Sequence, residues 1–243
     1  MTPALLLIAH GSRDPRHAAT VAALVEQVRA QRPALEVATA YLDHCAPRIP
    51  QVVGRLTDAV AVPLLLNRAF HAKHDIPAAL RAAGAGLPVA DVLGPSPLLL
   101  DALDRRLAEA GLDLASAAVR SRTGVVLAAA GSSDPAADAA TRAVAAEWRR
   151  TRGWAAVEVA YASASGPRVP DALAALRTAG ASCTAVAPYL LAPGLLPDRI
   201  AAAAADADVL ADPLGPAPEL AALLLERYDQ GRLAAATVPA LTA

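Results

Sequence analysis

Aromatic residues make up only 3% of this 243-residue chain, with a single Phe and two Trp. A core built with so few rings has to be aliphatic, and Ala, Leu and Val carry most of the 55% hydrophobic share. Lysine is nearly missing, Lys73 being the only one, and the formal net charge is −1. Such a near-neutral chain has no electrostatic footprint for nucleic acid or for an anionic membrane surface. The two cysteines, Cys45 and Cys183, lie far apart with no Cys-x-x-Cys pattern. That argues against a disulfide or a zinc site and for reduced thiols in a cytoplasmic protein. The longest apolar stretches are too short to span a bilayer, and Ala4 to Ala9 has no preceding basic region of a signal peptide. No Gly-x-x-x-x-Gly-Lys-Ser/Thr loop occurs, so no ATP-driven step is visible.

What the chain does have, it has twice. Ala9-His10-Gly11-Ser12-Arg13-Asp14-Pro15 returns 120 positions later as Ala129-Ala130-Gly131-Ser132-Ser133-Asp134-Pro135. At the same offset Tyr41 returns as Tyr161, Pro47-Arg48 as Pro167-Arg168 and Pro50 as Pro170. The turn-building Gly, Ser, Asp and Pro survive, whereas His10 becomes Ala130 and Asp43 becomes Ser163. A repeat is an internal control: shared residues read as scaffold, and residues held by one copy read as function. The duplication divides the chain into residues 1–118 and 119–243, each near the usual size of a domain.

Leu5-Leu6-Leu7-Ile8-Ala9, stopped by His-Gly-Ser, has the pattern of a strand buried on both faces of a parallel sheet. A helix follows over 15–31, with Val21, Leu24, Val25 and Val28 at helical spacing. Strands over 36–41, 59–66 and 89–93 then alternate with helices over 47–56, 75–83 and 97–109. The second half repeats the order, with strands over 124–129, 157–161, 184–190 and 209–210. Its helices span 136–150, 170–179, 198–205 and 219–228, and a linker is expected near 116–123. This alternation predicts an α/β protein of two similar doubly wound parallel-sheet domains facing each other across a cleft.

In such sheets the reactive groups gather beyond the carboxyl ends of the strands. His10 follows strand one, Asp43 strand two, and His71 strand three, so three potential metal ligands or bases share one edge. The corresponding positions of the second half hold Ala130, Ser163 and, more loosely, Leu195-Leu196.

The combination of motifs resembles the long, two-domain sirohydrochlorin chelatases. The resemblance rests on His-Gly-Ser-Arg-Asp-Pro after strand one and on Pro-Leu-Leu-Leu in strand three, followed by a loop His and Asp-Ile-Pro. Leu-Gly-Pro after strand four completes it, and the likeness runs over essentially the whole chain. It implies a chelatase-like fold and nucleotide-free insertion of a divalent metal, Fe²⁺ or Co²⁺, into a carboxylate-rich tetrapyrrole. It implies catalytic roles for His10, His71 and Asp43, the last often Glu in the family, with His10 and His71 as metal ligands. No tightly bound cofactor is implied, and a monomer or a homodimer would serve. The two-domain form, without a histidine-rich tail, favours iron and siroheme over cobalt and cobalamin.

The chemistry is consistent with these residue types. Neutral imidazole binds Fe²⁺ and Co²⁺, and with a pKa near 6.5 it accepts pyrrole protons at cellular pH. A nearby carboxylate strengthens binding of a dication and keeps a histidine basic. Ser12 reads as a turn cap, because Ser132 repeats it, and also as a substrate contact. Arg13 and Lys73 are candidates to pair with substrate carboxylates. His17 and His44 are expected to face solvent, His74 to cap the next helix and Arg48 to be scaffold. Two other readings stand beside this one. Acyl or phosphoryl transfer lacks both an Arg before His10 and a Gly-x-Ser-x-Gly elbow; a metal-delivery protein would use the same histidines without turnover.

Overall fold

The structure, a computed structural model, describes residues 2–67, 75–164 and 166–237. The apolar run at the start becomes β1 (Ala4–Ala9), buried at every position. β1 is central in a parallel sheet of order β2-β1-β3, between β2 (Val37–Tyr41) and β3 (Ala59–Pro63). Helix α1 (Pro15–Gln31) has its predicted bounds and is N-capped by Asp14, whose carboxylate accepts the Arg16 N–H at 2.9 Å. It buries Val21, Leu24, Val25 and Val28, each contributing roughly 1.5–3 kcal/mol. One face of the sheet sets Leu6 and Ile8 against Ile49 and Val53 of α2 (Ile49–Val53) and Ile76 and Leu80 of α3 (Ile76–Ala82). The predicted strand over 89–93 shrinks to one parallel bridge, Ala61 to Val89. The ladder cannot run on toward residue 93, because Pro63 has no N–H to give the Ala90 carbonyl, and the Val92 N–H goes instead to the Asp91 carboxylate at 2.7 Å.

The duplicated half builds a second parallel sheet, of order β5-β4-β6-β7. Its strands are β4 (Thr123–Ala129), β5 (Ala156–Tyr161), β6 (Cys183–Pro188) and β7 (Val209–Leu210). Helices α7 (Val169–Thr178) and α8 (Leu195–Ala203) close one face through Leu173, Leu176 and Ile200. Helix α6 (Pro135–Arg152) buries Val144 and Trp148. The expected linker carries a short helix, α5 (Ala117–Arg120), capped by the Ser116 hydroxyl. Among the described residues no helix is long and apolar enough to cross a membrane.

The compact units differ from the sequence halves. One unit comprises Met1–Ser96 with Pro216–Ala243, the other Pro97–Gly215. The boundary expected at 118/119 therefore does not coincide with the packing boundary, because each half's last helix packs into the unit of the other half. Helix α4 (Pro97–Glu109) belongs to the second unit, where the carboxylate of Asp104 accepts from the Trp148 indole at 2.8 Å. Burial pushes the Asp104 carboxyl above its ordinary range, against the opposing pull of that bond and of Arg152. Helix α9 (Pro218–Thr237) lies in the first unit, where Arg32 pairs with Asp229 at 2.8 Å and the Tyr228 hydroxyl donates to the Pro3 carbonyl. Gly231 lets α9 come close to the sheet, since a Cβ there would stand 2.9 Å from Val60.

Candidate functional site

With β1 flanked by β2 and β3, the connection from β1 runs to one side and the connection from β2 crosses to the other. In open sheets of this order ligands bind beyond the carboxyl ends of the strands at such a point. The β1 and β2 loops are locked to each other. Leu42 N–H donates to the Ala9 carbonyl at 2.9 Å and Asp43 N–H to the His10 carbonyl at 2.8 Å. Gly11, at φ +93°, makes the approach possible: a Cβ would lie 1.8 Å from the Asp43 carbonyl oxygen. His10 therefore sits, exposed, at the head of the central strand and directly beside Asp43.

The Asp43 carboxylate accepts from the His44 N–H at 2.8 Å and from Arg48 at 2.9 Å. These two bonds hold its carboxyl below the ordinary carboxylate range, so it is ionised at neutral pH. Arg48 also donates to the Leu42 carbonyl, as Arg168 does to the Tyr161 carbonyl in the second copy. The Ser12 hydroxyl accepts the Asp14 N–H at 3.1 Å, and Ser132 accepts the Asp134 N–H at 3.0 Å. Both are turn scaffold, and the Ser12 O–H remains able to donate. Cys45 Sγ donates to the Ser12 carbonyl at 3.1 Å. Arg13 is exposed, with no ion-pair partner among the described residues. His71, Lys73 and His74 lie outside the described residues. Among the described residues no three His, Cys, Asp or Glu side chains are grouped to hold a metal ion.

The second copy repeats this junction without its chemistry. Ser163 N–H donates to the Ala130 carbonyl at 2.9 Å, and Gly131, at φ +86°, faces the Ser163 carbonyl as Gly11 faces Asp43. The Ser163 hydroxyl turns inward, donating to the same Ala130 carbonyl at 2.8 Å.

The CbiX family model matches residues 4–110 and 124–231, once for each copy. The chain belongs to the CbiX family. It is 28% identical over 207 residues to the sirohydrochlorin ferrochelatase of Priestia megaterium, covering 81% of this chain and 76% of that one. It is 26% identical over 260 residues to the sirohydrochlorin cobaltochelatase of the same organism, covering 93% and 79%. The solved structure of SirB from Bacillus subtilis with Fe³⁺ superposes with a TM-score of 0.81 at 24% identity, covering 98% of each chain. That likeness establishes the shared fold.

Two histidines of this CbiX-family chain stand closer to His10 than the sequence predicted. His44, at φ 61°, has its ring centroid 6.4 Å from that of His10 and its Nε2 3.5 Å from the Asp43 carboxylate. His17 faces solvent only in part. It is half-buried, its Nδ1 has no hydrogen-bond partner among the described residues, and its ring lies 6.4 Å from that of Tyr41. Burial lowers its pKa, with His10 adding a repulsive contribution and Asp14 opposing. The repeat held a signal for both: at the offset that turns His10 into Ala130, His17 becomes Ala137 and His44 becomes Ala164.

Proposed function

We infer that the protein inserts a divalent metal into sirohydrochlorin without ATP, Fe²⁺ in preference to Co²⁺. The observation that carries this reading is the locked pair of loops presenting His10 and an ionised Asp43 at the sheet edge of the first copy. The same junction in the second copy holds Ala130 and Ser163. Family membership and the names of the curated relatives support the same chemistry.

In this reading His10 and His71 bind the incoming ion through neutral imidazoles, and Asp43 adds negative charge beside them. Few protein ligands suit an ion that has to be released, in contrast to a closed structural site. Insertion exchanges two pyrrole N–H protons for the dication. An imidazole with an ordinary pKa accepts such a proton at neutral pH and returns it to water. Arg13 and Lys73, with the Ser12 O–H, receive the substrate's peripheral carboxylates.

The test is anaerobic turnover with excess sirohydrochlorin, supplied with Fe²⁺ or Co²⁺ and followed by absorption. Many turnovers per chain, faster with Fe²⁺, are expected. Conversion that stops at one equivalent would favour metal delivery instead. Faster turnover with Co²⁺ would reverse the metal preference.

A further inference from the structure

The second copy has no histidine and carries arginines at positions where the first has none. Along α6 and the edge strand β5 runs an open groove of about 660 Å³, its walls including Arg142, Arg149, Arg150, Trp154, Val157 and Tyr161. At the repeat offset Arg142, Arg150 and Trp154 correspond to Ala22, Ala30 and Ala34, so these groups belong to this copy alone. Arg149 corresponds to Arg29, and here the two copies differ in pairing. In the first copy Arg29 is consumed internally, bonding Glu26 at 2.6 Å and the Val37 carbonyl of the edge strand at 3.2 Å. Glu26 is replaced by Ala146 in the second copy, and Arg149 is exposed with no partner among the described residues.

The remaining polar groups fit a ligand site. Arg150 keeps an ion pair with Glu147 at 2.7 Å, and Arg142 stands by the Tyr161 hydroxyl. Trp154 is 4% exposed, yet its indole nitrogen is a buried donor with no acceptor among the described residues. Trp148, the other tryptophan, satisfies its own donor on Asp104. A buried N–H without an acceptor is destabilising unless something accepts from it. Among the described residues Glu158 is the one carboxylate lining the groove, so a bound anion is favoured toward the α6 side. No described histidine or cysteine lines it, so the groove can hold a ligand without ligating its metal.

We propose that this groove is an accessory site for an amphipathic polycarboxylate, a molecule with a flat apolar face and carboxylates on its rim. Trp154, Val157 and Val159 supply the apolar wall, and the guanidiniums of Arg142 and Arg149 take the carboxylates as bidentate partners. A carboxylate-rich tetrapyrrole has this chemistry. The choice of ligand rests on the function inferred above, whereas the groove itself does not. Such a site holds tetrapyrrole on the same chain as the reaction centre without taking part in the reaction.

Calorimetric titration of the full chain with uroporphyrin, a stable octacarboxylate tetrapyrrole, tests the proposal. Two binding events per chain are expected at low salt. Arg142→Glu with Arg149→Glu removes one. Ala146→Glu, which restores the internal partner seen in the first copy, weakens that event roughly tenfold without deleting an arginine. Unchanged thermal midpoints show that the variants fold. One event in the wild-type chain, or two unaltered events in both variants, would overturn the proposal. Displacement by citrate at comparable affinity would reduce the groove to a general anion patch, and tighter binding of a glutamate-rich peptide would make it a strand-docking edge. In His10→Ala the groove event should persist. Full turnover by that variant would sink the inferred function and leave the groove result standing.

Discussion

The two copies share a backbone and differ in what they present on it. In each, a glycine with positive φ presses the first loop against the carbonyl of the second, and the same two N–H groups extend the sheet's ladder beyond the strands. The first copy places His10, His17, Asp43 and His44 around that junction; the second places Ala130, Ala137, Ser163 and Ala164. The turn therefore does not need the histidines in order to fold. Their presence in one copy is thus not a demand of the turn, and each copy serves as a control for substitutions in the other.

The largest expected effect follows directly. His10→Ala should lower the insertion rate by ~100-fold or more, the range for a lost acid–base group. Its thermal midpoint should match the wild type, because Ala130 occupies the same turn. A rate near the wild type with an unchanged midpoint would remove His10 from the site.

The glycines sharpen the comparison. Gly11→Ala and Gly131→Ala each force a Cβ to within 2.0 Å or less of a carbonyl oxygen, at φ values of +93° and +86°. Each should cost at least about 1–3 kcal/mol from the backbone alone, visible as a lower Tm at roughly 2–4 °C per kcal/mol. Only Gly11→Ala should also slow insertion, by about tenfold or more, because it displaces Asp43 from His10. Equal loss of activity in both would mean that the second junction also serves the reaction.

Asp43→Ser writes the second copy's residue into the first. A roughly tenfold loss of Co²⁺ affinity by calorimetry is expected, as a carboxylate held ionised is removed. An unchanged affinity would leave Asp43 a turn residue paired with Arg48.

A smaller effect concerns pH. Burial holds His17 below its ordinary pKa of 6.5, whereas in the unfolded chain it protonates near that value. The unfolded state then binds more protons, so this group's penalty appears as pH falls below about 6.5. His17→Ala, which matches Ala137, should flatten the decline of Tm as pH falls below about 6.5. An identical slope in the variant would refute the assignment. The smallest effect is a null one: Ala130→His alone should add no second Co²⁺ site, because Ser163 and Leu195-Leu196 still supply no ligands beside it.

Local pattern made much of the fold readable in the sequence. The bounds of α1 and α4 follow from Pro at the first turn and apolar residues at helical spacing, and β1 from an unbroken buried run. The pattern could not show that α4 and α9 pack into the opposite units. An apolar helical face states that it is buried and does not name its partner. The strand over 89–93 is shorter than its pattern predicts for a related reason: Ala90, Val92 and Leu93 are buried there, but Pro63 on the neighbouring strand limits the ladder to one bridge. His10 and Asp43 were legible because turn chemistry and strand order place them at one edge. His17 was misjudged because its position on a helix says nothing about what covers its ring.

The exchange of the last helices has a consequence for synthesis on the ribosome. The first unit holds the residues inferred to be reactive, yet α9, whose Tyr228 and Gly231 close on Pro3 and Val60, emerges only after the whole of the second unit. Until that helix leaves the exit tunnel, the part of the first sheet it covers stays open to water, and such surface invites aggregation while synthesis continues. Completion of the first unit is thereby tied to the synthesis of α9, after the whole of the second unit. A nascent chain arrested before Pro218 carries every inferred reactive residue and lacks the cover over their sheet, so competence should appear only once α9 has emerged.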